Sequence, residues 1–340
     1  MDQLFLDRLE EALGAQSVLR AEPLSRHTTF RIGGPAEVLV RPRNIDEVAR
    51  VVRLCFDEGV PLRVLGCGSD VLVADEGVAG VVMQVADNLA EVHADRSGLV
   101  SAQAGATNAE VARIACEAGL SGYEFACGIP GTVGGAAIMN AGAYDGQFSD
   151  VAVALACVTR AGEVIEVVAD EADWGYRHSR MDGEGMVVVA ALLRLIPDDR
   201  AVIQARMDEL DARRRAKQPL ELPSAGSTFK RPAGHFAGKL IQEAGMQGAR
   251  VGGAQVSTKH AGFVVNVGDA TAADVRALMA RVQSEVNRVH GVELEPEVRL
   301  WGFDDAGAVA CADAADHSND VGLSASADHS SAEGSPSNAS

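Results

Sequence analysis

The sequence predicts an α+β fold divided into two or three domains. At 340 residues the chain is long enough to form several hydrophobic cores. Apolar residues at helical spacing alternate with short runs of β-branched residues, and no internal repeat is visible. Six glycines fall within residues 128–146, which indicates a loop whose backbone is approached closely by a bound group.

The first 80 residues predict a small unit of helices and strands. Residues 1–20 have a helical pattern, and a strand is expected at about 36–41. Residues 44–58 place valines and a cysteine at helical spacing, and the apolar run 60–65 predicts the next strand. We expect this unit to span residues 1–80.

A second unit, residues 81–197, is dominated by short β-branched runs around the long glycine segment. One clear helix is predicted at 108–118. Pro197 and the two aspartates after it mark the end of the unit. The predicted strands are 81–85, 98–104, 151–158, 163–168 and 187–195.

A third unit, residues 198–303, begins with a polar helix at about 200–217. Its last helix has Thr271 as the expected N-cap, Asp274 three residues later and Gly291 as the terminator. Beyond Asp304 the chain becomes rich in Ala, Ser, Asp and Gly and contains no Lys or Arg. Residues 304–340 therefore predict a disordered acidic tail.

Composition excludes several classes of function. The net charge of −18 argues against a nucleic acid or an anionic membrane as partner. No apolar run approaches the ~20 residues of a membrane-spanning helix, and the acidic N-terminus does not resemble a signal peptide. The six cysteines form no CxxC pair and the histidines form no HExxH motif, so we expect no metal site and a cytoplasmic protein with reduced thiols.

Two glycine segments indicate a dinucleotide held by backbone groups. Clustered N–H groups of residues 128–146 suit phosphate oxygens, and Gly66-Cys67-Gly68-Ser69-Asp70 follows a predicted strand in the same way. The third glycine and the helix of the Rossmann fingerprint are missing. Tight turns between strands are the alternative for the longer segment. With a bound dinucleotide, Gly131 and Gly134 should lie where the backbone approaches its phosphates.

Positive charge is concentrated between residues 213 and 259. This span holds nine bases and two acids, a local charge of 9 − 2 = +7 in an acidic protein. A solvated helix face explains residues 213–215, whereas bases dispersed among glycines and prolines favour an anion-binding region. Lys217, Lys230 and Lys259 are the expected contacts.

Three further segments carry candidate chemistry. Ser227-Thr228-Phe229-Lys230 fits the SxxK pattern of serine acyl enzymes, but the SDN and KTG motifs that accompany it are missing. Two alternatives remain open. The segment could be a phosphate-binding loop, or Ser227 could donate a proton beside a flavin. Residues 234–239 do not form a Walker phosphate-binding loop, because one residue too few separates the two glycines and Leu240 stands where the pattern needs a hydroxyl. Residues 174–180 offer an arginine that is either a carboxylate ligand or a surface residue, and residues 294–300 predict a strand start with two carboxylates.

Taken in order, these segments resemble the UDP-N-acetylenolpyruvoylglucosamine reductase family of peptidoglycan precursor synthesis. The resemblance runs from about Leu24 to Gly302. No long insertion separates the YRHSR loop from QPLELPSAGS, and in this the chain resembles the shorter-loop type II class. The segments that carry it are TTFRIGGPA (28–36), GCGSD (66–70), GIPGTVGGAAIMNAGAYDG (128–146), YRHSR (176–180), QPLELPSAGSTFKRP (218–232), AGKLI (237–241), GGAQVSTKHAGFVVN (252–266) and LEPEVRL (294–300).

The resemblance implies a fold, two cofactors and a reaction. FAD would lie between the first two units, which together would resemble the vanillyl-alcohol-oxidase (PCMH-type) FAD-binding module, followed by a C-terminal α/β substrate domain. NADPH would reduce the flavin, and the enolpyruvyl group of UDP-N-acetylglucosamine enolpyruvate would then be reduced to UDP-N-acetylmuramate. These small molecules are the only partners implied; no protein partner follows from the sequence.

The resemblance also implies site residues. Ser227 would protonate the substrate, and Arg177 and Glu297 would stabilise its enolic form. Asp70 departs from the family, which more often has Asn there, so its contact with FAD is doubtful. Substrate contacts would be Tyr176, Lys217, Lys230 and Lys259. FAD contacts would be Arg31, Gly66, Gly68, Ser69, Gly128, Ile129, Pro130, Gly131, Thr132, Gly134, Gly135, Asn140 and Gly142.

Overall fold

The computed structural model describes residues 1–303, and the predicted tail at 304–340 lies outside these described residues. Helices and strands both occur throughout the described range, in agreement with the α+β prediction. Among these residues no helix combines the length and the apolar character that crossing a membrane demands. Within residues 1–303 no group of three or more His, Cys, Asp or Glu side chains is placed to hold a metal ion.

The N-terminal part is a four-stranded sheet covered by helices. Its strand order is β1-β2-β5-β3; β1 runs antiparallel to β2, and β5 runs parallel to both β2 and β3. The elements are α1 (Gln3–Leu13), β1 (Val18–Pro23), β2 (Pro35–Val40), α2 (Ile45–Asp57), β3 (Leu62–Leu65), β4 (Val71–Val73) and β5 (Val78–Gln84).

The predicted helix over residues 1–20 is wrong in its second half. Helix α1 stops at Leu13 because Gly14 adopts a φ of 84°, which a helix does not allow. Residues 18–23 then pair with β2 as strand β1. The predicted boundary at residue 80 also falls inside β5, since this strand is hydrogen-bonded between β2 and β3.

The central part is a five-stranded antiparallel sheet of order β12-β11-β13-β7-β6. One hydrophobic core joins this sheet to the helices before it, since Phe5 of α1 and Val48 of α2 belong to the same buried cluster as Leu155. The elements are β6 (Val92–Ala94), β7 (Leu99–Gln103), α3 (Asn108–Glu117), β8 (Leu120–Ser121), α4 (Val133–Ile138), β9 (Gly142–Ala143), β10 (Gly146–Gln147), β11 (Ala152–Val158), β12 (Val164–Val168), α5 (Arg180–Gly183), β13 (Val187–Arg194) and β14 (Ile196–Pro197).

The long glycine segment, residues 128–146, contains a helix that the sequence did not predict. Helix α4 begins after Thr132, whose side chain accepts a hydrogen bond from the N–H of Gly135 (3.4 Å). Glycine disfavours helix, but Val133, Ala136 and Ala137 are buried, and this packing outweighs propensity.

The C-terminal part is a small α/β layer. A three-stranded antiparallel sheet of order β15-β16-β17 packs against the last helix. That helix has the predicted Thr271–Asp274 capping box and ends at Gly291 with a φ of 67°. The elements are α6 (Arg200–Lys217), α7 (Ala237–Glu243), β15 (Arg250–Val251), β16 (Ala254–Val256), β17 (Val264–Asn266), α8 (Ala272–His290) and β18 (Arg299–Trp301).

Two elements of the C-terminal part contact the earlier sheets. Helix α6 inserts the buried Ile203 and packs against α3 and the β8 region. Strand β18 pairs in parallel with β4, with Arg299 opposite Val71 and Trp301 opposite Val73. The polar residues that precede and begin β18 are therefore brought to the end of the second glycine segment, residues 66–70.

Candidate active site

One cavity of about 570 Å³ lies between the two glycine segments, α6 and the residues around β18. Its volume falls within the range of small-molecule sites. Most predicted FAD contacts line it: Gly66, Gly68, Ser69, Ile129, Pro130, Gly131, Thr132, Gly134, Gly135 and Gly142.

The two glycine segments pack directly against each other. A Cβ at Gly66 would come within 2.5 Å of Thr132 Oγ1, and one at Gly131 within 2.8 Å of Ser69 Oγ. The Ser69 hydroxyl donates a hydrogen bond to the carbonyl of Pro130 (3.1 Å). These glycines are required by the contact between the segments, which fixes both backbones at the cavity wall.

The glycines of α4 face in different directions. A Cβ at Gly134 would lie 3.0 Å from Ala104 Cβ. The packing of the protein itself therefore accounts for this glycine, without the predicted contact with a phosphate. A Cβ at Gly135 would meet only Thr132 Oγ1, at an ordinary 3.7 Å. Gly135 thus leaves open space at the cavity wall that the folded chain itself does not fill.

The loop that carries Arg177 is fastened to the end of α4. The Trp174 indole N–H donates to the carbonyl of Ala137 (2.8 Å), and the buried Ser179 hydroxyl donates to that of Ile138 (2.8 Å). Both acceptors are carbonyls in the last turn of α4, so these bonds hold the loop against the end of the helix. Asn140, a predicted FAD contact, instead donates to the carbonyl of Gly175 (3.3 Å) and does not line the cavity.

Arg177 and Glu297 form an ion pair in the cavity wall. The Arg177 Nε–H donates to Glu297 Oε1 at 2.8 Å, and both side chains are largely buried. Burial opposes the charged form of Arg177, but the adjacent carboxylate outweighs it and raises the pKa of the guanidinium. Arg177 has a φ of 55°, an uncommon conformation for a non-glycine residue that functional loops often hold.

Ser227 lines the same cavity and is exposed to it. The next residue, Thr228, accepts a hydrogen bond through its carbonyl from the Glu297 N–H (2.9 Å). The serine and glutamate segments are therefore joined by their backbones. Three residues that are far apart in sequence (Arg177, Ser227 and Glu297) share one wall.

Lys230 is poorly placed for the acyl-transfer interpretation. Its ammonium pairs with the Glu295 carboxylate, and it does not line the cavity. A base for Ser227 must be free to accept the hydroxyl proton. The pairing of Lys230 removes that role.

Helix α6 and the residue that caps its C-terminus contribute two cavity residues that the sequence analysis did not identify, Arg214 and Gln218. Arg214 Nε and Gln218 Oε1 are buried and have no hydrogen-bond partner among residues 1–303. Burial lowers the pKa of the Arg214 guanidinium. Arg214 lies on the face of α6 that carries Ile203 and Met207, and Gln218 follows four residues after it. This four-residue spacing is visible in the sequence.

The predicted lysine contacts lie elsewhere. Lys217, Lys230 and Lys259 are absent from the cavity wall, and Lys259 Nζ donates to the carbonyl of Arg215 (2.8 Å) and pairs with Glu221 (3.6 Å). The basic segment reaches the cavity through Arg214 instead.

Three other predicted contacts are also outside the cavity wall. Tyr176 is 57% exposed and its hydroxyl accepts from the Arg231 N–H (3.2 Å). Arg31 is exposed, and Gly128 packs against the side chain of Arg214.

The architecture and the cavity define a class of protein: a nucleotide-cofactor enzyme with a backbone-lined cleft and a buried Arg–Glu pair. Residues 36–168 match the family model of an FAD binding domain. Residues 218–301 match that of the UDP-N-acetylenolpyruvoylglucosamine reductase C-terminal domain.

Relatives cover nearly the whole chain. The UDP-N-acetylenolpyruvoylglucosamine reductase of Agathobacter rectalis is 46% identical over 89% of this chain and 99% of its own length. That of Listeria monocytogenes is 48% identical over 83% and 94%. The crystal structure of the Thermus caldophilus enzyme superimposes with a TM-score of 0.72 at 37% identity, covering 84% of this chain and 98% of that one. This chain belongs to the UDP-N-acetylenolpyruvoylglucosamine reductase family.

Proposed function

We propose that this chain is an FAD-dependent oxidoreductase that reduces the enolpyruvyl group of UDP-N-acetylglucosamine enolpyruvate to UDP-N-acetylmuramate, with NADPH as hydride donor. The reaction supplies a peptidoglycan precursor for the cell wall. Family membership supports the assignment. The observation that carries it is the convergence of Arg177, Ser227 and Glu297 on a cavity lined by two glycine segments.

The residues present fit FAD. Gly135 leaves room at the cavity wall, the buried Arg214 Nε–H lacks an acceptor that an anionic group would supply, and the buried Gln218 Oε1 lacks a donor that a ligand N–H or hydroxyl would supply. We propose that the backbones of residues 66–69 and 129–135 hold its pyrophosphate. Held there, FAD would supply the hydride-transfer chemistry that links NADPH to the β carbon of the enolpyruvyl group.

Residues of this chain would stabilise the charge that develops on the substrate and supply the proton that the substrate takes up. Negative charge develops on the α carbon and carboxylate of the substrate, and the largely buried Arg177 guanidinium would stabilise this charge. Glu297 holds Arg177 in place through its hydrogen bond. We propose that the Ser227 hydroxyl, exposed to the cavity, delivers the proton to the α carbon.

The setting supports small-molecule substrates and a cytoplasmic location. All five cysteines in the described range are free, as expected in a reducing compartment. NADPH and a UDP-sugar are both anions, and neither a nucleic acid nor a membrane suits the acidic surface. We propose three regions for the chain: a two-part FAD-binding module to residue 197, divided after Gln84, a substrate domain at 198–303, and the tail.

A spectroscopic experiment tests the function. The purified full chain should be yellow, should bleach with NADPH, and should regain its colour when the enolpyruvyl substrate is added. A colourless protein that a penicillin acylates would favour a serine acyl enzyme. A yellow protein that NADPH does not bleach would favour a flavin-binding protein without this activity.

Gly135→Val should greatly reduce FAD content while leaving the fold intact. The added side chain would project into the cavity and meet little of the protein, so it competes with the cofactor alone. FAD per protein is measured by absorbance and folding by thermal melting of the apoprotein. Gly183→Val, at an exposed helical glycine with open space around it, is the matched control. Full flavin content in Gly135→Val would contradict the placement of FAD.

Arg214→Met should stabilise the apoprotein and weaken anion binding. The variant removes a buried charge that has no partner in the described chain, and such charges are costly without a ligand. A hydrogen bond to a charged group contributes about 1.5–3 kcal/mol, so we expect roughly 10- to 100-fold weaker binding of FAD or of an anionic substrate. Melting temperature, FAD affinity and both KM values are measured. Lys259→Ala is the control and should leave the melting temperature, the FAD affinity and both KM values unchanged. Unchanged binding in Arg214→Met would refute a role of Arg214 in anion binding.

A further inference from the structure

The carboxyl group of Asp70 lines the cavity without a partner in the protein. It follows the second glycine segment directly and precedes strand β4. Among residues 1–303 no ion pair and no hydrogen bond of its side chain is found, although its backbone carbonyl accepts from the Arg299 N–H (3.0 Å). The proposed reaction gives this carboxyl no role.

The cations near Asp70 are already paired with other carboxylates. Arg177 donates to Glu297, and Arg299 donates through both Nη atoms to Asp182 at 2.9 and 2.8 Å. Two guanidinium groups thus balance two carboxylates on this wall. An ionised Asp70 would add a third carboxylate to this wall, where both neighbouring guanidinium groups are already paired.

The groups that face Asp70 act in opposite directions. Burial disfavours its charged form, and the Glu297 carboxylate adds to this effect. Arg299 and Arg177 oppose them, but the balance raises the pKa of Asp70 to about 8. Asp182, on α5, neutralises the charge of Arg299 through two hydrogen bonds.

We propose that Asp70 holds a proton in the cavity at neutral pH and serves as a neutral ligand-positioning group, and that its ionisation in alkaline solution weakens binding of the anionic cofactor. A carboxyl group can donate a hydrogen bond only while it is protonated. An ionised carboxylate repels a pyrophosphate bound in the same cavity. The second half of the inference rests on the proposed function, whereas the protonation itself does not.

The pH dependence of unfolding tests the protonation. Asp70→Asn keeps the shape of the side chain and removes its titration. The pKa of Asp70 is raised in the folded protein above its value of about 3.9 in the unfolded chain. The contribution of Asp70 to the free energy of unfolding is therefore fully present below about pH 3.9 and is lost as the pH rises to about 8.

The stability advantage of Asp70→Asn should therefore grow between about pH 5 and pH 8 and level off above it, with up to about a tenfold change in the unfolding constant per pH unit. The full chain is measured by chemical denaturation after FAD removal. Asp145→Asn, at an exposed carboxylate of the long glycine segment, is the control and should give a flat difference. An equally flat difference for Asp70→Asn would overturn the inference.

FAD affinity gives a second readout. The dissociation constant of FAD for the wild-type apoprotein should rise above about pH 8, by at most about tenfold per pH unit, and should stay level in Asp70→Asn. Identical pH profiles of the two proteins would overturn the role of Asp70 in binding. Absence of FAD binding at every pH would overturn the proposed function, while the unfolding experiment would still decide the protonation state.

Discussion

Ser227→Ala is expected to retain FAD and to bleach normally with NADPH, yet to be reoxidised very slowly by the enolpyruvyl substrate. Reduction of the flavin by NADPH needs no proton donor on the substrate side, whereas reduction of the enolpyruvyl group does. General acid catalysis contributes about 10²–10⁴-fold, so the second half-reaction should slow by at least about 10². Ser227→Cys should keep part of the activity because a thiol can donate a proton.

Stopped-flow absorbance of each half-reaction provides the measurement for Ser227. Ser224→Ala is the matched control, since this serine lies in the same segment but does not line the cavity. It should leave both half-reactions unchanged. Equal slowing of both steps in Ser227→Ala would mean that the serine shapes the cleft and does not donate the proton.

Loss of either member of the Arg177–Glu297 pair is expected to slow the second half-reaction by about 10²–10³-fold, the usual effect of removing one electrostatic stabiliser. The two side chains act as a unit through their 2.8 Å hydrogen bond. Arg177→Ala combined with Glu297→Ala should therefore be little slower than the slower single variant.

A double-mutant cycle on the second half-reaction measures this coupling. Arg180–Glu184, an exposed ion pair one turn apart, is the control, and Arg180→Ala should have little effect. Additive losses for Arg177 and Glu297 would show that the two residues act independently. Such a result would remove the positioning role of Glu297.

Much of the fold could be predicted because local sequence determined it. Helix α8 begins and ends where its capping box and Gly291 predict, since these residues satisfy the terminal backbone groups. Most predicted strands of the central sheet agree within a few residues. Strand β1 and helix α4 were missed because pairing with β2 and burial of alanines, both tertiary effects, decide them.

The site could be predicted only in part. The glycine segments and the three residues implied by family resemblance line one cavity, but their catalytic roles stay predictions. Charge density pointed to the lysines of residues 213–259, whereas a helix exposes only one face to the cavity. That face holds Arg214, and Gln218 follows directly after the helix. The pairing of Lys230 with Glu295 depends on a contact between distant segments.

The pairing of β18 with β4 has a consequence for the order of events during synthesis. Glu297 and Arg299 reach the cavity only when the last described strand joins a strand made more than 200 residues earlier, as the register of Arg299 with Val71 requires. The ribosome therefore completes both glycine segments well before the Arg–Glu pair can form. A nascent chain can assemble the cofactor cradle early, but it becomes competent for substrate chemistry only after the residues of β18 have been made.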